Sequence, residues 1–123
     1  MDFSDQTLAE VEALLESLKQ GNDSAFNNLV TRCEGRLREL TARMLSRYPH
    51  VRRWEDTDDV FQLALIRLHR ALSAVQPGSA REFFGLASVQ VRRTLIDLAR
   101  HYFGVYGPGT HHHSNPDGQA ADD

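Results

Sequence analysis

The stretch VQVRRTLIDLARHYF, residues 89–103, gathers Arg92, Arg93, Arg100 and His101 around a single acid, Asp97. Guanidinium groups repeated at helical spacing hold phosphates, and their planar forks also match the edge of guanine. The chemistry these residues suggest is grip on an anionic polymer rather than bond making. Histidines are the other candidates: His111, His112 and His113 lie together in a Gly/Pro-rich run, with His69 and His101 elsewhere. A small metal-dependent hydrolase or metal sensor would have to use these. Three consecutive histidines in such a run lack the converging elements and orienting outer layer that a zinc site needs. No metal, cofactor or enzymatic activity is expected.

The distribution of charge says more than its total. The formal net charge is -3, yet residues 25–101 hold thirteen arginines against eight acids, and every cation there is Arg. The acidic excess sits outside, with six acids against Lys19 in residues 1–24 and three acids without Lys or Arg in residues 102–123. A basic middle fits an anionic partner, although an Arg bias also follows from genome composition. Arg93 and Arg100 bracketing Asp97 would equally suit ordinary intrahelical pairs worth a few tenths of a kcal/mol. A merely solvated helix face therefore stays open at this point.

These residues need helices to position them, and the chain of 123 residues is long enough for one core. No segment alternates with strand period, so the expected fold is all-α, a compact bundle of four helices followed by a flexible C-terminal tail. The first helix, about 7–19, opens on the capping box TLAE, Thr7 to Glu10, and carries Leu8, Val11, Leu14, Leu15 and Leu18 on one side. The second, about 23–48, repeats Phe26, Leu29, Val30, Cys33, Leu37, Leu40, Met44 and Leu45 until Pro49 stops it. The third, near 57–74, buries Val60, Phe61, Ala64, Leu65, Leu68, Ala71 and Leu72, with Asp58 and Asp59 in its favoured first turn. Pro77 and Gly78 break the chain, and the box SARE, Ser79 to Glu82, starts the fourth helix, about 80–103. Its apolar side runs Phe84, Ala87, Val91, Leu95, Leu98 and Tyr102, and Phe83 and Phe84 are both expected in the core. Its opposite side carries Gln90, Arg93, Asp97 and Arg100 as a polar stripe. Residues 1–104 form the expected domain, and 105–123 a linker or tail.

A single cysteine, Cys33, excludes an internal disulfide framework and favours a reducing compartment. No leader-like segment and no span of about 18 apolar residues is present, so a cytoplasmic protein is expected.

Three stretches in order, GNDSAFNNLVTRCEGRL, DTDDVFQLALIRLHRAL and REFFGLASVQVRRTLIDLAR, resemble region 2 of bacterial RNA polymerase sigma factors of the extracytoplasmic-function (ECF) type. The resemblance covers about 7–104. In that family an opening like GNDSAF begins the long second helix, a motif like DDVFQ starts the third, and a stretch like RRTLID lies on the fourth. It implies a transcription initiation factor that binds the polymerase core and recognises and helps melt the promoter −10 element. Asp59 and Gln62 match the family's contact with the coiled coil of the β′ clamp, and Ile66 and His69 continue that helix face. Leu63 stands where many members have an acid. The family's DNA-reading surface maps to the loop 74–81, with Gln76, Ser79 and Arg81, and to Gln90, Arg93, Asp97 and Arg100. Arg93 replaces a common Asn. The implied partners are RNA polymerase core, the non-template strand of the −10 element and an anti-sigma factor. A second helical domain that reads the −35 element is normal in the family, and this chain is expected to be part of a longer protein. The alternative is a helical adaptor that binds protein alone, with no role on DNA.

Overall fold

Amphipathic helices of this length must bury their apolar stripes on one another, and here they do so around the second helix. The computed structural model describes residues 5–104. Its elements are α1 (Asp5–Lys19), α2 (Ser24–Leu45), a short α3 (Pro49–Arg52), α4 (Thr57–Ala74) and α5 (Ala80–Ala99), which runs on into a π-helical turn, Arg100–Gly104. Four long helices make an all-α bundle, as expected, and α3 is an addition. The expected tail, 105–123, lies outside the described residues. No described helix is long and apolar enough to cross a membrane.

Local chemistry sets most boundaries. Gly21 has φ 92°, which its missing Cβ permits, and Asn22 N–H donates to Ser17 O at 3.2 Å while Gly21 N–H donates to Leu18 O at 3.0 Å. This double closure ends α1. α1 already runs from Asp5, so Thr7 lies within it and the expected Thr7–Glu10 box does not start it. Glu10 instead pairs with Arg32 of α2 at 3.1 Å. Pro49 takes the first position of α3, where its missing N–H costs nothing. The strongest cap was not expected: Asp56 accepts from Asp59 N–H, and Asp59 accepts from Asp56 N–H, each at 2.9 Å. Ser79 accepts from Glu82 N–H at 3.1 Å as expected, but the Glu82 carboxylate takes Gly78 N–H at 2.8 Å, so the second box is only half formed.

Two clusters fill the interior. The larger joins Val11 and Leu15 of α1, Leu29, Cys33 and Leu37 of α2, Phe61, Leu68 and Leu72 of α4, and Phe83 and Ala87 of α5. The smaller joins Leu45, Val51, Val60, Ala64, Val91 and Leu95, which is where α3 docks. Burial pushes the Cys33 thiol up to about 11, so it stays neutral and acts as a small apolar group. Thr41 and Thr94 are also buried, their hydroxyls donating to Leu37 O and Gln90 O at 2.8 Å.

Both rings at the start of α5 pack into the core as expected, Phe83 fully buried and Phe84 half-buried against the larger cluster. The inward row runs Phe83, Ala87, Gln90 and Thr94 beside Val91 and Leu95, about one residue away from the centre that the aliphatics alone suggest. Phe83→Ala should therefore cost about 3–5 kcal/mol in urea unfolding, and Phe84→Ala clearly less. A second expectation concerns acid. The N–H of Asp59 holds the Asp56 carboxyl below its usual range. That contribution is complete above the ordinary carboxylate pKa and is lost as pH falls through the lower folded value. The thermal midpoints of wild type and Asp56→Ala should differ at neutral pH and converge in strong acid.

Candidate functional site

Once α4 has turned Val60, Phe61, Ala64, Leu68 and Leu72 inward, its other side must face solvent. Asp59, Gln62 and Ile66 lie there together, stepping by three and four residues, with Leu63 beside them. Leu63 is 41% and Ile66 55% exposed, so two large aliphatics lie on an otherwise polar surface. His69, also exposed, lies at the edge of this face, its ring 4.6 Å from that of Phe26 on α2. Asp59 serves the cap described above, so its carboxylate is held in place by α4's own first turn.

Polar ties border the face on both sides. Towards α2, Arg38 bonds Glu34 and Asp58, each at 2.9 Å, and lies 4.3 Å from the centre of the Phe61 ring. The two carboxylates keep its guanidinium firmly charged. Towards α5, Arg67 pairs with Asp97. Asp97 thus has a partner on another helix, which the spacing of Arg93 and Arg100 around it did not reveal. Arg93 is exposed and has no ion-pair partner among the described residues.

The outer side of α5 differs from the expected polar stripe in one residue. Gln90 is 5% exposed because it belongs to the inward row, so it cannot share a surface with Arg93 and Arg100. Val89 and Ile96 are half-buried on that outer side, flanking Arg92, Arg93 and Arg100. In the loop before α5, Gln76 is exposed, Pro77 is buried and Ser79 is committed to the helix cap, while Arg81, also exposed, lies in the first turn of α5 and not in the loop where it was expected. Glu12 of α1 accepts from Ala80 N–H at 3.4 Å and ties this loop to the bundle.

Two features escaped sequence reasoning. An open groove of about 390 Å3 between α2 and α5 is lined by Arg36, Glu39, Leu40, Arg43, Phe84, Gly85 and Ser88, with the Arg36 guanidinium 5.0 Å from the Phe84 ring centre. No single helix carries it, and the 84/85/88 spacing on one helix was its sole trace. The other is an aromatic group where the π-helical turn meets α3. Trp54 stacks on Tyr102 at 5.9 Å with an interplanar angle of 18°, and His50 meets Phe103 edge-on at 4.4 Å. Tyr102 donates its hydroxyl proton to the Glu55 carboxylate, and this bond raises the phenol's pKa. Trp54 lies in the polar connection between α3 and α4, and its stacking partner is 48 residues on in the numbering, out of reach of any local pattern.

Among the described residues no group of three or more His, Cys, Asp or Glu side chains is arranged to hold a metal ion. His111, His112 and His113 lie outside them. The arrangement offers binding faces: an aliphatic patch with fixed polar edges on α4 and an arginine-bearing side on α5. Because Arg67 and Asp97 join these two helices, a double-mutant cycle on thermal or urea unfolding should show favourable coupling of about 0.2–1 kcal/mol, as for other exposed pairs.

Comparison with known proteins bears on what those faces meet. No curated protein and no solved structure matches the chain. The family model described as ECF sigma factor matches residues 8–103, from the first turns of α1 into the π-helical turn. Members of that family are transcription initiation factors whose partners are RNA polymerase and promoter DNA. The match takes in every long helix of the bundle and both candidate faces, and the chain belongs to the ECF sigma factor family.

Proposed function

We propose that the outer face of α4 docks on the β′ clamp coiled coil of RNA polymerase core, and that α5 with the loop before it holds the non-template strand of the −10 element. The observation that carries this reading is the pair of exposed aliphatics, Leu63 and Ile66, set beside Asp59 and Gln62 on one helix face. Apolar side chains rimmed by polar ones suit a protein partner, and a coiled coil offers a long convex surface of matching size. Burying the exposed part of each side chain would contribute about 1 kcal/mol. Leu63 replaces an acid common in the family, so this contact leans on packing and less on charge. It should weaken less with salt than a purely ionic one.

On α5, Arg93 and Arg100 supply donors for phosphates or base edges, while Gln76 and Arg81 border the loop where an unstacked base is received. Gln90 is excluded from this set by its burial, and Ser79 contributes as the cap that shapes the loop. Asp97 holds Arg67 and so orients the border between the two faces. Unstacking a base costs a few kcal/mol, and a chain of net charge -3 binds DNA weakly alone, so polymerase supplies much of the grip. The protein works in the cytoplasm, with polymerase and promoter. An anti-sigma factor would act by covering either face.

Gln62→Ala combined with Ile66→Ala should weaken binding to core polymerase about tenfold, with helicity unchanged. Asp59→Asn keeps an acceptor for the cap and isolates the charge. Equal binding by the double variant in a competition pull-down would remove the clamp assignment. Arg93→Asn should change discrimination at one −10 position by about 1–3 kcal/mol on promoters randomised there, if Arg93 reaches a base edge. Uniform weakening on all sequences, with a shallower salt dependence, would place Arg93 on phosphate.

A further inference from the structure

Trp54 is 63% exposed, the largest exposure of any big apolar side chain in the described bundle, and the features described so far leave it without a role. One face of its indole lies against Tyr102. The exposure leaves much of the rest of the ring open to solvent. Its position is fixed from beneath. Val51 of α3 is fully buried, the backbone N–H of Trp54 donates to Val51 O at 2.9 Å, and the Tyr102 hydroxyl is held by Glu55. An exposed indole held this firmly is a preformed stacking surface, because the entropy of ordering the ring is already spent.

Charge around it selects the ligand. Arg52 and Arg53, the two residues before Trp54, are exposed and have no ion-pair partner among the described residues. The nearby carboxylates Glu55, Asp56 and Asp59 keep their charge but are turned to donors of their own, the Tyr102 hydroxyl for Glu55 and each other's backbone N–H for Asp56 and Asp59, so none pairs with Arg52 or Arg53. An open aromatic face beside unpaired guanidinium groups matches a nucleobase with its adjoining phosphates. We infer that Trp54, backed by Tyr102 and flanked by Arg52 and Arg53, is a stacking site for an unpaired base of single-stranded DNA. It lies at the far end of α5 from the loop that receives a base in the proposed function. Twenty residues of helix separate the two ends by about 30 Å. Tyr102 leaves the helix on the side of Leu95 and Leu98, opposite Arg93 and Arg100, so the strand turns round the end of α5 to reach the site, and the inference rests on the reading of that helix as a DNA-facing element.

Trp54 is the one tryptophan in the chain, so its fluorescence reports the site directly. Titration of the chain with single-stranded oligothymidylate at low salt should quench Trp54 saturably. Arg52→Ala with Arg53→Ala should raise the concentration needed several-fold. Trp54→Ala should weaken binding of a labelled oligothymidylate, read by anisotropy, about tenfold or more. Lys19→Ala, which removes an exposed cation at the end of α1 away from both faces, should leave the Trp54 quench in place. Binding by anisotropy that survives Trp54→Ala, or that leaves Trp54 fluorescence unchanged, overturns the site; loss of that same binding in Arg93→Ala would leave the α5 reading standing. Absence of any single-strand binding at millimolar protein overturns the site as well. So does a result in which Trp54→Ala weakens core polymerase binding while DNA leaves the fluorescence untouched, because the patch then faces protein.

Discussion

The bundle depends on the apolar side of α2. Leu29, Cys33 and Leu37 are at most 4% exposed, and α1, α4 and α5 all pack against this helix. Removing these side chains from water is the main driving term, and the close fit of neighbouring rings and methyl groups decides how each helix is rotated. Rotation is what matters for function here. Once Phe61, Leu68 and Phe83 are seated in the larger cluster, the outward residues of α4 and α5 have no remaining freedom of direction. Leu63, Ile66 and Arg93 face solvent as a consequence of what their helices bury.

Polar groups refine that arrangement without creating it. Arg32 with Glu10, Arg38 with Asp58, and Arg67 with Asp97 each join different helices, and all are substantially exposed. Such pairs contribute little to stability, but they limit rotation and keep the edges of the two outer faces in register. The reciprocal Asp56–Asp59 cap gives α4 a sharp start, and it fixes a carboxylate that belongs to the candidate docking face. The same residue thus serves structure and surface.

The two ends of α5 are built differently. At its start, Pro77, the Ser79 cap and the Glu12 contact hold a short loop against the bundle. At its end, the helix widens into a π-helical turn that lays Tyr102 and Phe103 against Trp54 and His50. π-Helical turns often mark functional positions, because the widened turn re-aims side chains that a regular helix would point elsewhere. The start presents the polar Gln76 and Arg81 to solvent and the end presents the aromatic Trp54, with the arginines of α5 between them in the chain.

The sequence by itself determined the all-helical class, the four long helices, and the bounds of α4, because apolar spacing and helix-breaking residues act locally. It also carried the family, through three motifs in order. The candidate residues of α4 came from the resemblance, and their exposure was legible because a helix with one strongly apolar side has only one other side to offer. What it could not settle was orientation in α5, where apolar residues occur nearly all round. Gln90 read as a surface residue and is buried, while Phe84 packs against the core and also lines a groove. Capping at Thr7 failed because a helix can begin earlier than its best cap. The stacking of Trp54 on Tyr102, the pairing of Arg67 with Asp97 and the groove beside Arg36 join residues far apart in the chain. Only the packing of α2, α4 and α5 decided them, since contacts between distant segments leave no local period to read.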